Sequence, residues 1–301
     1  MSEQPNLSPE STTRIPFYKV LNGMKVPPFV SGECLEKLKN FQLHSDDVWI
    51  VSYPKSGTTW VQQIVKLVRN GGKEDERTIS ATIPYVESAD LDPKLNLDEL
   101  PFPRAFKSHF AYDQMPCGLP NTTPCKYIYV ARNPKDVVVS KFHFLTSYKE
   151  FPPVSWEYFF TCFTDGEIPY GSWFDHVLGW WRHRDDDNML FVKYEDLKKD
   201  LPGAVKQIGK FVGYDLSQKV VDEIAIKTSF ESMKTNPLTN YSWEASSMKP
   251  EGTPFMRKGQ VGEWKNHLTV EQSAYFDAIY AEKMKDAALK FDFNELPSTS
   301  S

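Results

Sequence analysis

Three features of the sequence predict a three-layer α/β fold with a central parallel sheet. Short apolar runs rich in β-branched and aromatic residues stand at Val48–Ser52, Lys126–Ala131 and Met189–Lys193. Longer segments with apolar residues at helical spacing lie between and after them. No internal repeat or long low-complexity linker divides the chain. Strands alternating with amphipathic helices imply right-handed crossovers and helices on both faces of one sheet. In such sheets ligands sit beyond the carboxyl ends of the strands.

The elements follow in order. Residues 1–14 are polar and rich in Pro, Ser and Thr, and are expected to be a flexible tail. The run Val48–Ser52 reads as a buried strand stopped by Pro54; from Thr58 onward, Trp60, Val61, Ile64, Val65 and Val68 mark a helix. The charge run at 71–77 reads as a solvated loop. A short strand is expected at 104–107, and stronger ones at Lys126–Ala131 and Met189–Lys193. Helices are expected at 137–148, 173–184, 204–212, 219–227 and 270–289, and a second tail at 297–301. A single domain is thus expected over 15–296.

Composition narrows the function. The 301 residues carry 35 basic and 40 acidic side chains, a formal charge of −5. A protein that tracks a nucleic-acid backbone would want a basic surplus, so no nucleic-acid partner is expected, while a small anion held by a few cations fits. Aromatics reach 14% of the chain, which suits a deep core, a flat apolar pocket, or both. The N-terminal residues do not read as a signal peptide, and no apolar run approaches the roughly eighteen residues of a membrane span. Cys34, Cys117, Cys125 and Cys162 form no C-x-x-C pair and read as reduced thiols. A cytoplasmic protein with no membrane partner is expected.

The chemistry-bearing residues cluster where the strands end. After Val48–Ser52 comes Y-P-K-S-G-T-T-W, in which Gly57 and its small neighbours let backbone N–H groups approach an anion at a helix N-terminus. Lys55 adds a point charge, and Ser56, Thr58 and Thr59 add hydroxyls. This is not the G-x-x-x-x-G-K-[ST] loop of nucleoside triphosphatases. The next strand ends in Arg132-Asn133-Pro134-Lys135-Asp136, with a cation where a magnesium carboxylate would stand, and Ser140 follows on the same helix. Asp196 is the one plausible magnesium ligand, and helix N-capping explains it more simply. His109, two residues past Lys107, falls just after the candidate strand 104–107, at the end where a ligand site should lie. His44, His143, His176, His183 and His267 lack such placement and read as structural.

Y-P-K-S-G-T-T-W, R-N-P-K-D-x-x-x-S at 132–140 and F-M-R-K-G-Q-V-G-E-W-K at 255–265 together resemble the cytosolic sulfotransferases, nearest the phenol-type branch. F-K-S-H, Y-G-S-W, K-Y-E-D and T-S-F-E-S-M-K-T-N-P-L-T-N-Y match in the same order, so the resemblance spans roughly residues 15–293. It implies a P-loop-like phosphosulfate site and transfer of a sulfuryl group from 3′-phosphoadenosine 5′-phosphosulfate, with 3′-phosphoadenosine 5′-phosphate as product and no metal. A small hydroxylated acceptor is implied, a phenol before a hydroxysteroid or another alcohol. By the same resemblance Lys55, Ser56, Gly57, Thr58, Thr59 and Trp60 form the 5′-phosphosulfate loop. Arg132, Ser140, Arg257, Lys258 and Gly259 bind the 3′-phosphate, with Phe255 and Met256 in the same segment. Tyr194, Thr228, Phe230 and Met233 surround the adenine and ribose. His109 is implied as catalytic base, with Lys55, Lys107 and Ser140 assisting, and Lys107, His109 and Phe142 meeting the acceptor. Phe144, Phe151, Tyr85 and Phe110 are further candidates for the acceptor wall.

Two departures stand out. The family's dimer motif K-x-x-x-T-V-x-x-x-E reads Lys265, Thr269, Val270 and then Ala274, so only a weak homodimer is expected. After His109 the chain reads Phe-Ala-Tyr where relatives usually have Leu-Pro, so the acceptor mouth is expected to differ. Two alternatives remain beside the transferase. A small-molecule kinase would need a full P-loop and a magnesium carboxylate. A non-catalytic nucleotide-binding relative would be expected to have lost Lys55, His109 or the R-K-G loop, and all three are present.

Overall fold

The computed structural model describes residues 17–92 and 95–294, so both expected tails lie outside the described residues. A hairpin of β1 (Lys19–Leu21) and β2 (Met24–Val26) leads into α1 (Gly32–Lys39). Then come β3 (Val48–Ser52), α2 (Thr58–Arg69), the short α3 (Ile79–Thr82), β4 (Ala105–Ser108) and β5 (Lys126–Ala131). Helices α4 (Pro134–Thr146), α5 (Trp156–Thr164) and α6 (Trp173–Trp181) precede β6 (Met189–Lys193). The chain closes with α7 (Tyr194–Lys199), α8 (Leu201–Val212), α9 (Gln218–Lys227), α10 (Phe230–Thr235) and α11 (Val270–Met284).

The main sheet is fully parallel, in the order β4-β3-β5-β6. Strand side chains alternate faces. Trp49, Val51, Phe106, Tyr127 and Tyr129 enter one core, which is largely aromatic. Val48, Ile50, Ala105, Ile128 and Val130 enter the other, which is aliphatic and packed by α2, α8 and α9. Two cores on two faces make the predicted three layers. Much of the aromatic surplus thus serves one face of the sheet. Strand β3 lies between β4 and β5, so the chain leaves it toward opposite edges, and the crevice beyond its carboxyl end is the switch point where open sheets bind ligands.

Several expected boundaries shift. The strand expected at 104–107 runs one residue later, at Ala105–Ser108. Helix α4 begins at Pro134 rather than 137, since proline suits the first turn and the Asn133 side chain caps it by accepting from the Asp136 N–H. Helices α6 and α11 stop at Trp181 and Met284, short of 184 and 289. The hairpin, α1, α5, α7 and α10 were not anticipated; all are short, and periodicity is weak over so few residues. Asp196 does not cap a helix: Lys193 is the N-cap of α7, and Asp196, half-exposed in its first turn, pairs with Lys193 at 3.3 Å. The four cysteines are free thiols. Among the described residues, no helix is long and apolar enough to cross a membrane. In the dimer-motif segment, Thr269 caps α11 and Val270 is 81% exposed.

The amino edge of the sheet is fastened by a buried ion pair. Arg104 meets both carboxylate oxygens of Asp47, Nε at 2.9 Å and Nη2 at 2.6 Å, and its guanidinium lies over the rings of Phe41 and Phe102. The Arg104 carbonyl accepts from Val48, and the Asp47 carbonyl from Lys126, so this one pair registers β3, β4 and β5. Breaking such a pair from one side leaves a buried charge uncompensated. Asp47→Ala is therefore expected to lower stability by about 3–5 kcal/mol in urea unfolding. Unfolding free energies within about 1 kcal/mol of each other would show that the pair does not hold this edge.

Candidate active site

The loop after β3 turns sharply at the switch point. Lys55 adopts φ +74° and Gly57 φ +107°, both left-handed, and α2 starts immediately after. A side chain at Gly57 would strike the ring of Tyr194, with its Cβ 2.8 Å from Cδ2, so glycine is required there. Tyr194 also lies 4.3 Å beneath the Arg132 guanidinium and edge-on to Trp60 at 5.3 Å. Gly57, Trp60, Arg132 and Tyr194, far apart in sequence, therefore form one wall. The Ser56 hydroxyl, Trp60 Nε1 and Arg132 Nε are buried without hydrogen-bond partners. Buried polar groups in folded proteins are nearly always paired, so three such donors around one loop fit an anionic ligand with a flat heterocycle.

The Lys55 amine is held between two rings, 4.1 Å from Phe144 and 4.2 Å from Phe255. Burial, with Lys107, Arg132 and Arg257 nearby, pulls its pKa down to about 7. Around it, carboxylates fix the cationic segments. Asp136 accepts from the Gly262 and Trp264 N–H groups, tying the 257–264 loop to the start of α4. Glu263 gathers Lys258 at 2.5 Å, Arg257 at 3.2 Å and His267 at 3.1 Å on one oxygen. Although burial opposes it, these hydrogen bonds hold the Glu263 carboxyl at about 2. Glu195 takes the Asn133 N–H at 2.8 Å. Gly259 sits at φ +64° so close to Phe230 that a Cβ would lie 2.2 Å from the ring, which brings α10 against the same loop.

One strand over, His109 is the first residue past β4. Its Nδ1 lies 2.7 Å from the Ser52 carbonyl, which can only accept, so Nδ1 carries the proton and Nε2 keeps a lone pair. Its backbone N–H is given to the buried Glu87, and its carbonyl accepts from His176 Nε2 at 2.9 Å. Burial, then Lys107, lowers the His109 pKa well below the ordinary value, which keeps the ring neutral. Burial also raises the Glu87 carboxyl to about 7. The rings of Tyr85 and Tyr170 stand edge-on to His109 at 5.2 and 5.5 Å, with their hydroxyls bonded to each other. Lys107 Nζ lies 4.3 Å over Tyr85.

The structure thus brings together Lys55, Ser56, Gly57, Trp60, Arg132, Tyr194, Phe230, Phe255, Arg257 and Gly259, with Lys107 and His109 beside them. Thr58 is engaged with Ser52, hydroxyl to hydroxyl at 2.5 Å. The Thr228 hydroxyl turns back onto the Ile224 carbonyl, and Met233 is fully buried. Thr59, Ser140 and Met256 are half-buried on the segments named. Phe142 packs edge-on against Trp156 and Phe159, partly buried beside the aromatic core. Helical spacing explains it, because residue 142 faces the core when 144 faces Lys55. Phe110 is fully buried in that core and Phe151 stacks on Phe17. Glu87, His176 and Tyr170 were not anticipated as supports of His109. Glu87 carries no local signal, while Tyr170 lay in the quoted Y-G-S-W. No group of three or more His, Cys, Asp or Glu among the described residues could hold a metal ion.

A cation-lined strand–loop–helix turn with unpartnered buried donors, beside a buried imidazole just past the adjoining strand, suits a group-transfer protein on a parallel α/β sheet. The chain belongs to the sulfotransferase domain family, whose match covers residues 45–288. It is 41% identical to Sulfotransferase 1C2 of Rattus norvegicus over 263 residues, 85% of this chain and 88% of that one. It is 42% identical to the amine sulfotransferase of Oryctolagus cuniculus over 274 residues, 88% and 90% of the two chains. Its fold is similar to the crystal structure of retinol dehydratase in complex with androsterone and the inactive cofactor PAP, with a TM-score of 0.77, 27% identity, and 89% of each chain covered. The expected fold and family are borne out.

The geometry at His109 makes a ligand-free prediction. Nitrogen-resolved NMR should find its imidazole neutral and protonated on Nδ1 from pH 6 to 8, because burial disfavours the cation. Titration at or above the ordinary histidine value of about 6.5 would contradict the arrangement.

Proposed function

We propose that this sulfotransferase, a single domain over residues 15–296, moves a sulfuryl group from 3′-phosphoadenosine 5′-phosphosulfate to the hydroxyl of a small phenol in the cytoplasm, with His109 as general base. The observation that carries the reading is the Nδ1–Ser52 bond, which leaves Nε2 as the ring's acceptor at the edge of the anion-binding loop. His109 Nε2 takes the acceptor's proton as its oxygen bonds to sulfur. The sulfur–oxygen bond to the 5′-phosphate then breaks in line, and the proton leaves His109 for solvent. Lys55 and the N–H groups of its loop stabilise the charge on the departing phosphate oxygen. Arg257, Lys258 and Gly259, with Arg132 and Ser140, take the 3′-phosphate. Trp60, Tyr194 and Phe230 enclose the adenine. The aromatic ring of a phenol suits the walls made by Tyr85, Phe144 and Tyr170. Similarity to an amine sulfotransferase and to a retinol dehydratase makes amines and longer alcohols the acceptors to compare with phenols.

His109→Ala is expected to lower kcat on a phenol by roughly 10²–10⁴-fold. Its Kd for 3′-phosphoadenosine 5′-phosphate should stay within about twofold, since no donor contact is assigned to His109. Retention of more than about a tenth of kcat would remove His109 from the role.

Lys55 sets a pH dependence on product binding. Below pH 7 its amine is already charged in the free protein; above pH 7 it must gain a proton before meeting a phosphate. Affinity for 3′-phosphoadenosine 5′-phosphate should therefore fall between pH 7 and 9, by up to about tenfold per unit, with proton uptake seen by calorimetry in two buffers. Lys55→Met should flatten the profile. An affinity that does not change over this range in the wild type would show that Lys55 is charged throughout.

A further inference from the structure

Lys141 follows Ser140 on α4 and is 1% exposed. Its Nζ donates to the Tyr53 hydroxyl at 3.0 Å and to the Pro169 carbonyl at 2.8 Å, and it lies 4.3 Å over the Tyr53 ring. No carboxylate among the described residues lies close enough to form an ion pair with it, and burial pushes its amine well below the ordinary lysine range. Placing an amine there is unfavourable next to a methionine of similar length, unless its donors hold something.

What they hold is a strained turn. The Tyr53 hydroxyl donates in turn to the Gly171 carbonyl at 2.9 Å. The carbonyls on both sides of Tyr170 are therefore secured by the Lys141–Tyr53 pair. Tyr170 has φ +70°, a left-handed conformation that a bulky side chain keeps only when its surroundings enforce it. Its N–H is given to the Lys25 carbonyl at 2.7 Å. The product of this turn is the Tyr170 ring set edge-on against His109, its hydroxyl bonded to that of Tyr85.

We propose that Lys141 is a positioning residue for sulfuryl transfer: with Tyr53 it pins the 169–171 turn and so keeps Tyr170 against the His109 imidazole. The inference rests on His109 as the base. Lys141 itself reaches neither donor nor acceptor. Its removal lets Tyr170 relax out of the left-handed conformation, and the imidazole loses one of its two aromatic walls. Binding of the donor, made by other segments, is unaffected.

A double-mutant cycle tests this with the full-length enzyme. Lys141→Met should lower kcat on a phenol roughly tenfold, with the Kd for 3′-phosphoadenosine 5′-phosphate unchanged within about twofold. In a Tyr170→Ala background the same substitution should change kcat by less than about twofold, because the group it positions is gone. Equal losses in both backgrounds, or no loss in the wild type, would overturn the proposal. Tyr53→Phe, which keeps the ring and removes the hydroxyl that links the Lys141 amine to the Gly171 carbonyl, serves if Lys141→Met does not fold. It should lower kcat about threefold with the same insensitivity to Tyr170→Ala, and wild-type kcat in this variant would equally refute the pinning. Failure of the base assignment reads differently: His109→Ala would stay active whatever the coupling between positions 141 and 170.

Discussion

The hydrogen bond from His109 Nδ1 to the Ser52 carbonyl is the constraint on which the site depends. It joins the carboxyl ends of β3 and β4, the strands that deliver the Lys55 loop and the proposed base. It also selects the tautomer. In the other tautomer Nε2 would carry the proton, and Nδ1 would set a lone pair against the Ser52 carbonyl oxygen. Glu87 and His176 hold the backbone of the same residue from both sides, so the imidazole has little freedom to depart from this geometry.

The electrostatics of the site follow from how its charges are shared out. Arg257 and Lys258 are partnered by Glu263, and Asp136 anchors the backbone of their loop. Lys55 forms no ion pair with a carboxylate among the described residues; it lies between two rings in a crowd of cations, and its pKa falls to about 7. An arriving phosphate therefore has most to offer Lys55, the group placed nearest the leaving oxygen in the proposed mechanism. Segments already neutralised by carboxylates provide position, and the unpaired amine provides the change in interaction that a reaction can use.

The aromatic surplus is divided in two. Trp49, Phe106, Tyr127, Tyr129, Trp173 and Trp180 build the core on one face of the sheet. Tyr85 and Tyr170 stand edge-on to the His109 imidazole, and Phe144 and Phe255 enclose the Lys55 amine. Lys141 connects the two sets: it is buried with the first and, through Tyr53, holds one member of the second.

Much of this was legible in the chain itself. The strands Val48–Ser52, Lys126–Ala131 and Met189–Lys193 follow from β-branched and aromatic runs whose both faces must be buried, and hence so does a parallel sheet. The loop at Lys55–Gly57 and the histidine past the next strand follow from local chemistry at strand ends. What local sequence does not encode is which side chains meet across distant segments. Phe142 and Phe144 look equivalent in sequence, and only the packing of α4 sends one to the core and the other to Lys55. Asp196 reads as a cap until the start of α7 is located. Glu87 and Lys141 carry no motif, and each acquires its role from the backbone that the fold brings to it: the His109 N–H for one and the Pro169 carbonyl for the other. Periodicity and strand-end chemistry are local properties of a chain. The pairing of a buried ionisable group with a particular carbonyl or N–H is decided only when the layers close.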